Sequence, residues 1–288
     1  MADLMFTAAR YGNESPGGLI HLKPSTQTAP DAPSSYLCPS MSDSYLHDQV
    51  VPDTDSEKTK KQQVADMFDS IAPRYDFMNR FLSAGIDVRW RKKALQLLQP
   101  LQPKRILDVA TGTADVAIMA ARLLHPEKIT GIDISEQMLA GGRMKVADKA
   151  LGNMIELQNG DSETINFPDA TFDAVTVAFG VRNFENLEKG LREIHRVLKP
   201  GGRLVVLEFS KPKLPGVQQA YNLYMRLVAP GLAGALSKNR KAYQYLNDSI
   251  QAFPEGKDFV AVLQKTGFQQ TTCKALTFGI CSIYTGDK

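Results

Sequence analysis

Long apolar runs, clustered cysteines and Arg/Lys blocks of the kind a nucleic-acid partner needs are all missing from this chain. No stretch of about 18 apolar residues occurs, so no helix is expected to cross a bilayer. The N-terminus lacks the basic-then-apolar pattern of a secretory signal. The three cysteines, Cys38, Cys273 and Cys281, have neither metal-ligand nor disulfide-framework spacing. Reduced thiols in a cytoplasmic protein, and no metal, are therefore expected. Cys273 and Cys281 flank an expected strand turn and are candidate neighbours. Lysine and arginine form no blocks interleaved with aromatics, which argues against a nucleic-acid partner. The four histidines are also poorly placed for catalysis: His21 and His47 fall in the tail, His125 at a helix end and His195 inside a helix.

What is present is a globular composition, 43% hydrophobic over 288 residues, enough for one large α/β domain with extensions. The net charge of +3 is uneven. Residues 1–56 hold Arg10 and Lys23 against Asp3, Glu14, Asp31, Asp43, Asp48, Asp53 and Asp55, a balance of −5 that leaves +8 for the remainder. A basic body suits an anionic ligand or membrane surface. Residues 1–56 are rich in Pro, Ser, Thr and Asp and are expected to be disordered or loosely packed. Met41 is an alternative start.

Residues 57–103 are expected to be helical. Val64, Met67, Phe68 and Ile71 recur at helical spacing, Pro73 is expected to interrupt that helix, and Asp87 to Leu98 forms a second one. From Lys104 strands and helices alternate, the pattern of a parallel sheet covered on both faces. Strands are expected at 105–110, 128–133, 155–159, 174–179 and 203–209, with a closing antiparallel pair at 268–276 and 280–284. Gly141-Gly142 marks a weak spot in the helix after Ser135, and Lys199-Pro200-Gly201-Gly202 a helix stop. A helical insertion is expected over about 215–252. Its apolar segment Tyr221–Leu232 is too short to span a bilayer.

The chain is organised around Arg105–Asp115. A buried strand ends there in the small-residue turn Thr111-Gly112-Thr113 and opens a helix. In a doubly wound sheet the crevice beyond that strand holds a nucleoside-bearing ligand. Asp133, closing the second strand, can accept both ribose hydroxyls. Gly112 stands without the other glycines of a dinucleotide fingerprint, so no pyrophosphate cradle is implied. Asp161 and Ser162, after the third strand, suit an adenine edge. With Asp108 and Thr113 the set points to S-adenosylmethionine (AdoMet).

From about Glu57 onward the chain resembles the ubiquinone/menaquinone biosynthesis C-methyltransferase family. The resemblance rests on Tyr75–Asn79, Leu107–Thr113, Phe167-Pro168-Asp169 with Thr171-Phe172-Asp173, Phe179-Gly180-Val181-Arg182-Asn183, and Val197–Pro212. It implies a Rossmann-like class I methyltransferase domain over 104–288. Its sheet would be mostly parallel and seven-stranded with an antiparallel C-terminal strand, and residues 57–103 would form a lid. The implied reaction is methyl transfer from AdoMet to a ring carbon of a polyprenyl quinol, demethylmenaquinol rather than a methoxybenzoquinol. A non-catalytic AdoMet-binding scaffold is the alternative of another class. By this resemblance the cofactor contacts are Thr113, Asp133, Asp161 and Ser162, with the backbone of Ala178; Asp108 and Gly112 join them as cofactor-binding candidates from the first strand and its turn. Arg182, Asn183, Tyr75 and Asp76 are the catalytic candidates. Ala178 stands where serine is frequent and Ala114 where glycine is frequent. Contact with the inner face of the membrane and a homodimer complete the expectations.

Overall fold

Seven strands form one sheet in the order β3-β2-β1-β4-β5-β7-β6. They are β1 (Arg105–Val109), β2 (Lys128–Asp133), β3 (Ile155–Asn159), β4 (Phe172–Ala178), β5 (Leu198–Phe209), β6 (Gln269–Leu276) and β7 (Cys281–Asp287). The computed structural model describes residues 45–83, 85–212, 216, 219 and 240–288. These all belong to one unit, Asp43–Lys288. β1 to β5 run parallel, and β7 is antiparallel to both of its neighbours, as expected. The chain leaves β1 toward β2 and β3 and then returns to the other side of β1 as β4. The strand order therefore reverses between β1 and β4, and the crevice opens at their carboxyl ends.

Both faces of the sheet are covered, so the central strands need no polar alternation. Ile106 joins a cluster with α2 (Asp87–Gln96), α3 (Asp115–Leu124) and α4 (Glu136–Asp148). Leu107, one residue on, joins the opposite cluster with α5 (Leu187–Val197), with Phe253, which directly follows α6 (Arg240–Ala252), and with α7 (Lys257–Lys265). Both leucine and isoleucine are wholly buried, each stabilising the fold by about 1.5–3 kcal/mol.

Several expectations need correction. Pro73 does not end its helix: α1 runs continuously from Lys60 to Leu82 with Pro73 inside. Proline costs a helix one N–H···O bond and crowds the preceding turn. Contacts on both sides of Pro73 hold the helix in place. Asp69 accepts from the Ser135 hydroxyl and the Gln137 N–H at the start of α4, and Asp76 binds Thr113 and Lys145. Gly142 is not a weak spot but a packing position. A Cβ there would come within 2.8 Å of Leu157 and 3.3 Å of the Gly112 carbonyl oxygen.

The packed chain also begins before residue 57. Tyr45 donates to Glu188 at 2.8 Å, and His47 is wholly buried, its ring 5.8 Å from that of Phe253. Burial pushes the His47 pKa down to about 3, so the ring is neutral. In the closing hairpin Cys273 stands opposite Tyr284 and Cys281 opposite Leu276, so the two cysteines are not neighbours. Residues 1–44, and with them Cys38, His21 and Met41, lie outside the described residues, as does the segment Tyr221–Leu232.

Because α1 keeps its course despite Pro73, Pro73→Ala should stabilise the chain by about 1–3 kcal/mol. Urea unfolding monitored alongside hydrogen exchange should place the gain in α1.

Candidate active site

The carboxyl ends of β1, β2 and β4 build an open cleft, lined on its other side by Lys61, Val64 and Phe68. The turn after β1 is strained: Ala110, Gly112 and Ala114 all have positive φ, at 53°, 55° and 64°. Glycine suits its position, and the alanine methyls carry the cost of theirs. Ala114 thus adopts the conformation that favours the frequent glycine. The Gly112 N–H donates to Asp133 Oδ2 at 2.8 Å, tying the turn to the end of β2. Asp133 Oδ1 accepts from the Ser135 N–H at 2.9 Å. Each carboxylate oxygen keeps a lone pair for a ligand hydroxyl. Burial pushes the Asp133 carboxyl up to about 6.

Of the cofactor candidates, Gly112, Asp133, Asp161, Ser162 and Ala178 line this cleft. Asp161 Oδ2 is paired with Lys61 of α1 at 2.6 Å, and Oδ1 accepts the Glu163 N–H. Asp108 and Thr113 are not among the residues that line the cleft. Asp108 is buried between β1 and β4 and accepts from the Thr111 and Thr176 hydroxyls, each at 2.6 Å. Its burial pushes the carboxyl up to about 6. The Thr113 hydroxyl donates to Asp76 at 2.6 Å and accepts from Lys145 at 3.1 Å.

A second, mostly apolar chamber adjoins the first, and Phe68, Tyr75, Phe179 and Asn183 belong to the walls of both. Three catalytic candidates meet here. Tyr75 and Asn183 stand at the shared wall, and Arg182 lines the apolar side. Asp76 is not among the lining residues of either chamber; its carboxylate is bonded to Thr113 and Lys145 and fastens α1 there. Arg182 is buried and donates to Glu208 Oε1 at 2.6 Å and to the Phe179 carbonyl at 2.7 Å. Burial raises the Glu208 carboxyl against the opposing pull of Arg182. Burial likewise holds the Tyr75 phenol above its usual range, so it stays protonated at neutral pH. Asn183 accepts from the Tyr245 hydroxyl at 3.1 Å.

Gly180 explains part of the Phe-Gly-x-Arg-Asn segment. A Cβ at residue 180 would lie 2.5 Å from the Ala110 Cβ, so glycine lets β4 end against the turn after β1. Phe179, just before it, adopts φ 59°, another strained position at the cleft.

Comparison with known proteins follows the same segments. The profile described as the ubiE/COQ5 methyltransferase family matches residues 56–288. The chain belongs to this family. A demethylmenaquinone methyltransferase of Bacteroides fragilis is 47% identical over 244 residues, covering 85% of this chain and 99% of that one. A ubiquinone/menaquinone biosynthesis C-methyltransferase of Geobacter sulfurreducens is 47% identical over 230 residues, covering 80% of this chain and 90% of that one. Among solved structures, a SAM-dependent methyltransferase from Thermotoga maritima aligns with a TM-score of 0.53 at 18% identity, over 78% of this chain and 99% of that one. That likeness shows the class I methyltransferase fold. Members of the family use AdoMet, and the cleft fits it: Gly112 leaves its Cα open toward Tyr75, no nearer than 4.0 Å to a hypothetical Cβ, and Asp133 offers paired acceptors.

Sequence reasoning missed Lys61 and Phe68 of α1, Arg91 of α2, Phe209, and Tyr245 of α6, all at the two chambers. Periodicity marks such residues as helical or strand-bound but does not say where a helix docks. Phe179 and Gly160 directly follow strands, and the crevice rule alone could have found them.

Gly180→Ala should lower stability by about 1–3 kcal/mol through overpacking against Ala110. The urea midpoint should fall with an unchanged slope.

Proposed function

We propose that this chain transfers a methyl group from AdoMet to a ring carbon of demethylmenaquinol, giving menaquinol. The observation that carries the reading is the wall shared by a polar cleft and an apolar chamber, with Tyr75, Phe179 and Asn183 in it. A methyl donor on one side and an oxygenated apolar ring on the other would meet there. The relatives that match over nearly their whole length support the same acceptor.

Bound AdoMet supplies an electrophilic methyl on a sulfonium. The chain's own residues hold and orient. Asp133 accepts the ribose hydroxyls, and Asp161 with the Ser162 N–H takes the adenine edge. α1 serves as the lid expected of residues 57–103, with Phe68 and Tyr75 closing both chambers. Asn183, steadied by Tyr245, orients the ring. The ring hydroxyl gives its proton to a water beside Arg182 and Asn183, and Arg182 stabilises the oxyanion left behind, which makes the adjacent carbon more nucleophilic. Tyr75 and Tyr245 are both held above the usual phenol range, so neither is the base at neutral pH. The domain is proposed to span 104–288; of the insertion expected at about 215–252, residues 220–239 lie outside the described residues.

No helix among the described residues is long and apolar enough to cross a membrane. Contact with the inner face of the membrane is proposed from the +8 body and the hydrophobic tail of the substrate. Retention on anionic liposomes supports that contact; absence of binding removes it.

Labelled AdoMet offered with reduced demethylmenaquinone and a prenylated methoxybenzoquinol tests the reaction. Label in the naphthoquinol is expected. Label only in the benzoquinol favours the ubiquinone branch, which the Geobacter relative's name also covers. AdoMet binding without transfer to either quinol favours the scaffold.

Asp133→Asn should weaken AdoMet binding about 10–100-fold, the loss of charge-assisted hydrogen bonds. The pH dependence has a definite sign. With a carboxyl near 6, the wild type binds best when Asp133 is charged, above that pH. Its affinity should fall up to about tenfold per pH unit below it. Calorimetric titration from pH 7.5 to 5 should show that slope in the wild type and a flatter one in Asp133→Asn.

A further inference from the structure

A groove between α2 and α3 carries more positive charge than its surroundings balance. Arg80, Arg91, Lys92, Arg122 and Lys149 line it against one carboxylate, Asp115. That carboxylate is already shared. Arg80 stands 3.2 Å from it and Arg91 3.8 Å, and Lys145 binds its other oxygen. Arg91 is further paired with Asp87. Lys92, Arg122 and Lys149 differ from these: each is exposed, and none forms an ion pair with a carboxylate among the described residues. The same holds for Arg89 and Lys93. The exposed residues of α2 are Arg89, Lys92, Lys93 and Gln96, spaced so that one side of the helix presents a basic stripe to solvent.

The rest of the groove lining is aliphatic: Ile118, Met119 and Leu123 of α3. Like charges on neighbouring helical positions repel, so the stripe is stabilised by an anion that bridges them. The aliphatic side chains ask that this anion be joined to hydrocarbon. A phosphate carried on a glycerol with acyl chains meets both demands, and lysine and arginine stems lie readily along apolar surface with their charged ends in the phosphate layer. A nucleic acid meets only the first. No aromatic side chain is among the lining residues, so bases find no stacking surface there. The groove also has a neighbour: Arg91 belongs to its lining and to that of the apolar chamber.

We propose that the α2–α3 groove is the membrane-docking site of this chain. Lys92, Arg122 and Lys149 bind the phosphates of anionic phospholipids, and Arg89 and Lys93 add to the attraction. The proposal rests on the membrane contact inferred above and gives it a face and a lipid class. Docking on this face brings the bilayer to the side of the molecule where Arg91 separates groove from chamber. A quinol held in the bilayer by its hydrophobic tail then meets the chamber from the lipid side.

The test sediments the full chain with vesicles of phosphatidylcholine alone or mixed with phosphatidylglycerol. Two triple variants of equal net charge are compared with wild type. One carries Lys92→Gln, Arg122→Gln and Lys149→Gln. The other carries Lys189→Gln, Lys257→Gln and Lys265→Gln, on α5 and α7 across the sheet. Wild type should bind the mixed vesicles and not phosphatidylcholine alone. The groove variant should lose about 100-fold in affinity, about fivefold per basic residue near an anionic surface. The α5–α7 variant should bind as wild type does, because attraction fades within a Debye length of the bilayer. AdoMet affinity and turnover of a short-tailed quinol should be unchanged in the groove variant, while turnover of a long-tailed quinol embedded in the mixed vesicles falls with binding. Equal losses in the two variants would show attraction by net charge alone and overturn the docking site. Groove-dependent binding to duplex DNA tighter than to vesicles overturns it too, as does glycerol phosphate that binds as tightly as the vesicles. Wild type that binds neither vesicle removes the membrane contact and this site together. Wild type that docks through the groove and methylates no quinol overturns the proposed reaction and leaves the docking site standing.

Discussion

A buried carboxylate holds the carboxyl ends of the two central strands. Asp108 sits between β1 and β4, and Thr111 and Thr176 each donate a hydroxyl to it. Parallel strands on either side of a topological switch part company at their carboxyl ends, and that parting is the ligand crevice. A polar group buried there needs partners, and the two threonines supply them. Thr111 is thereby fixed at the head of the turn in which Ala110, Gly112 and Ala114 take left-handed conformations. The turn in turn delivers the Gly112 N–H to Asp133. Asp108 thus acts on the ligand site through the backbone it braces.

A second level of organisation is the division of the crevice by α1. One side is polar and ends in carboxylates at Asp133 and Asp161; the other is apolar, with Arg91 over the Phe179 ring and Arg182 over that of Phe209. The two sides need different solvents for their ligands. A nucleoside is bound through hydrogen bonds that strengthen as water leaves, and a greasy ring through the loss of water itself. One helix provides both by contributing Phe68 and Tyr75 to the common wall.

The sheet was highly legible because its central strands are short apolar runs bounded by turn residues. β2 and β3 fall on their expected spans, and β1 differs by one residue. That Asp133, Asp161 and Ser162 line the cleft was legible for a related reason: residues at or after the ends of parallel strands have few places to go. Asp108, Thr113 and Asp76 show where that logic stops. A polar residue at a strand end can face the crevice or brace its wall, and the motif reads the same in both cases. Arg91 and Tyr245 were invisible because their importance comes from helix docking over long sequence separations. Pro73 misled in another way: local helix cost is outweighed by attachments at Asp69 and Asp76, which propensity does not register.

The attachments of α1 have a common chemical character. Lys61 binds Asp161, Asp76 binds Lys145, and Arg80 binds Asp115 at 3.2 Å. These pairs are partly exposed, so their strength depends on the ions around them. Apolar seams tighten or hold as salt is added, whereas charged fasteners loosen. The hold of α1 on the cleft is therefore set in part by ionic strength, firmer in dilute buffer and weaker in concentrated electrolyte.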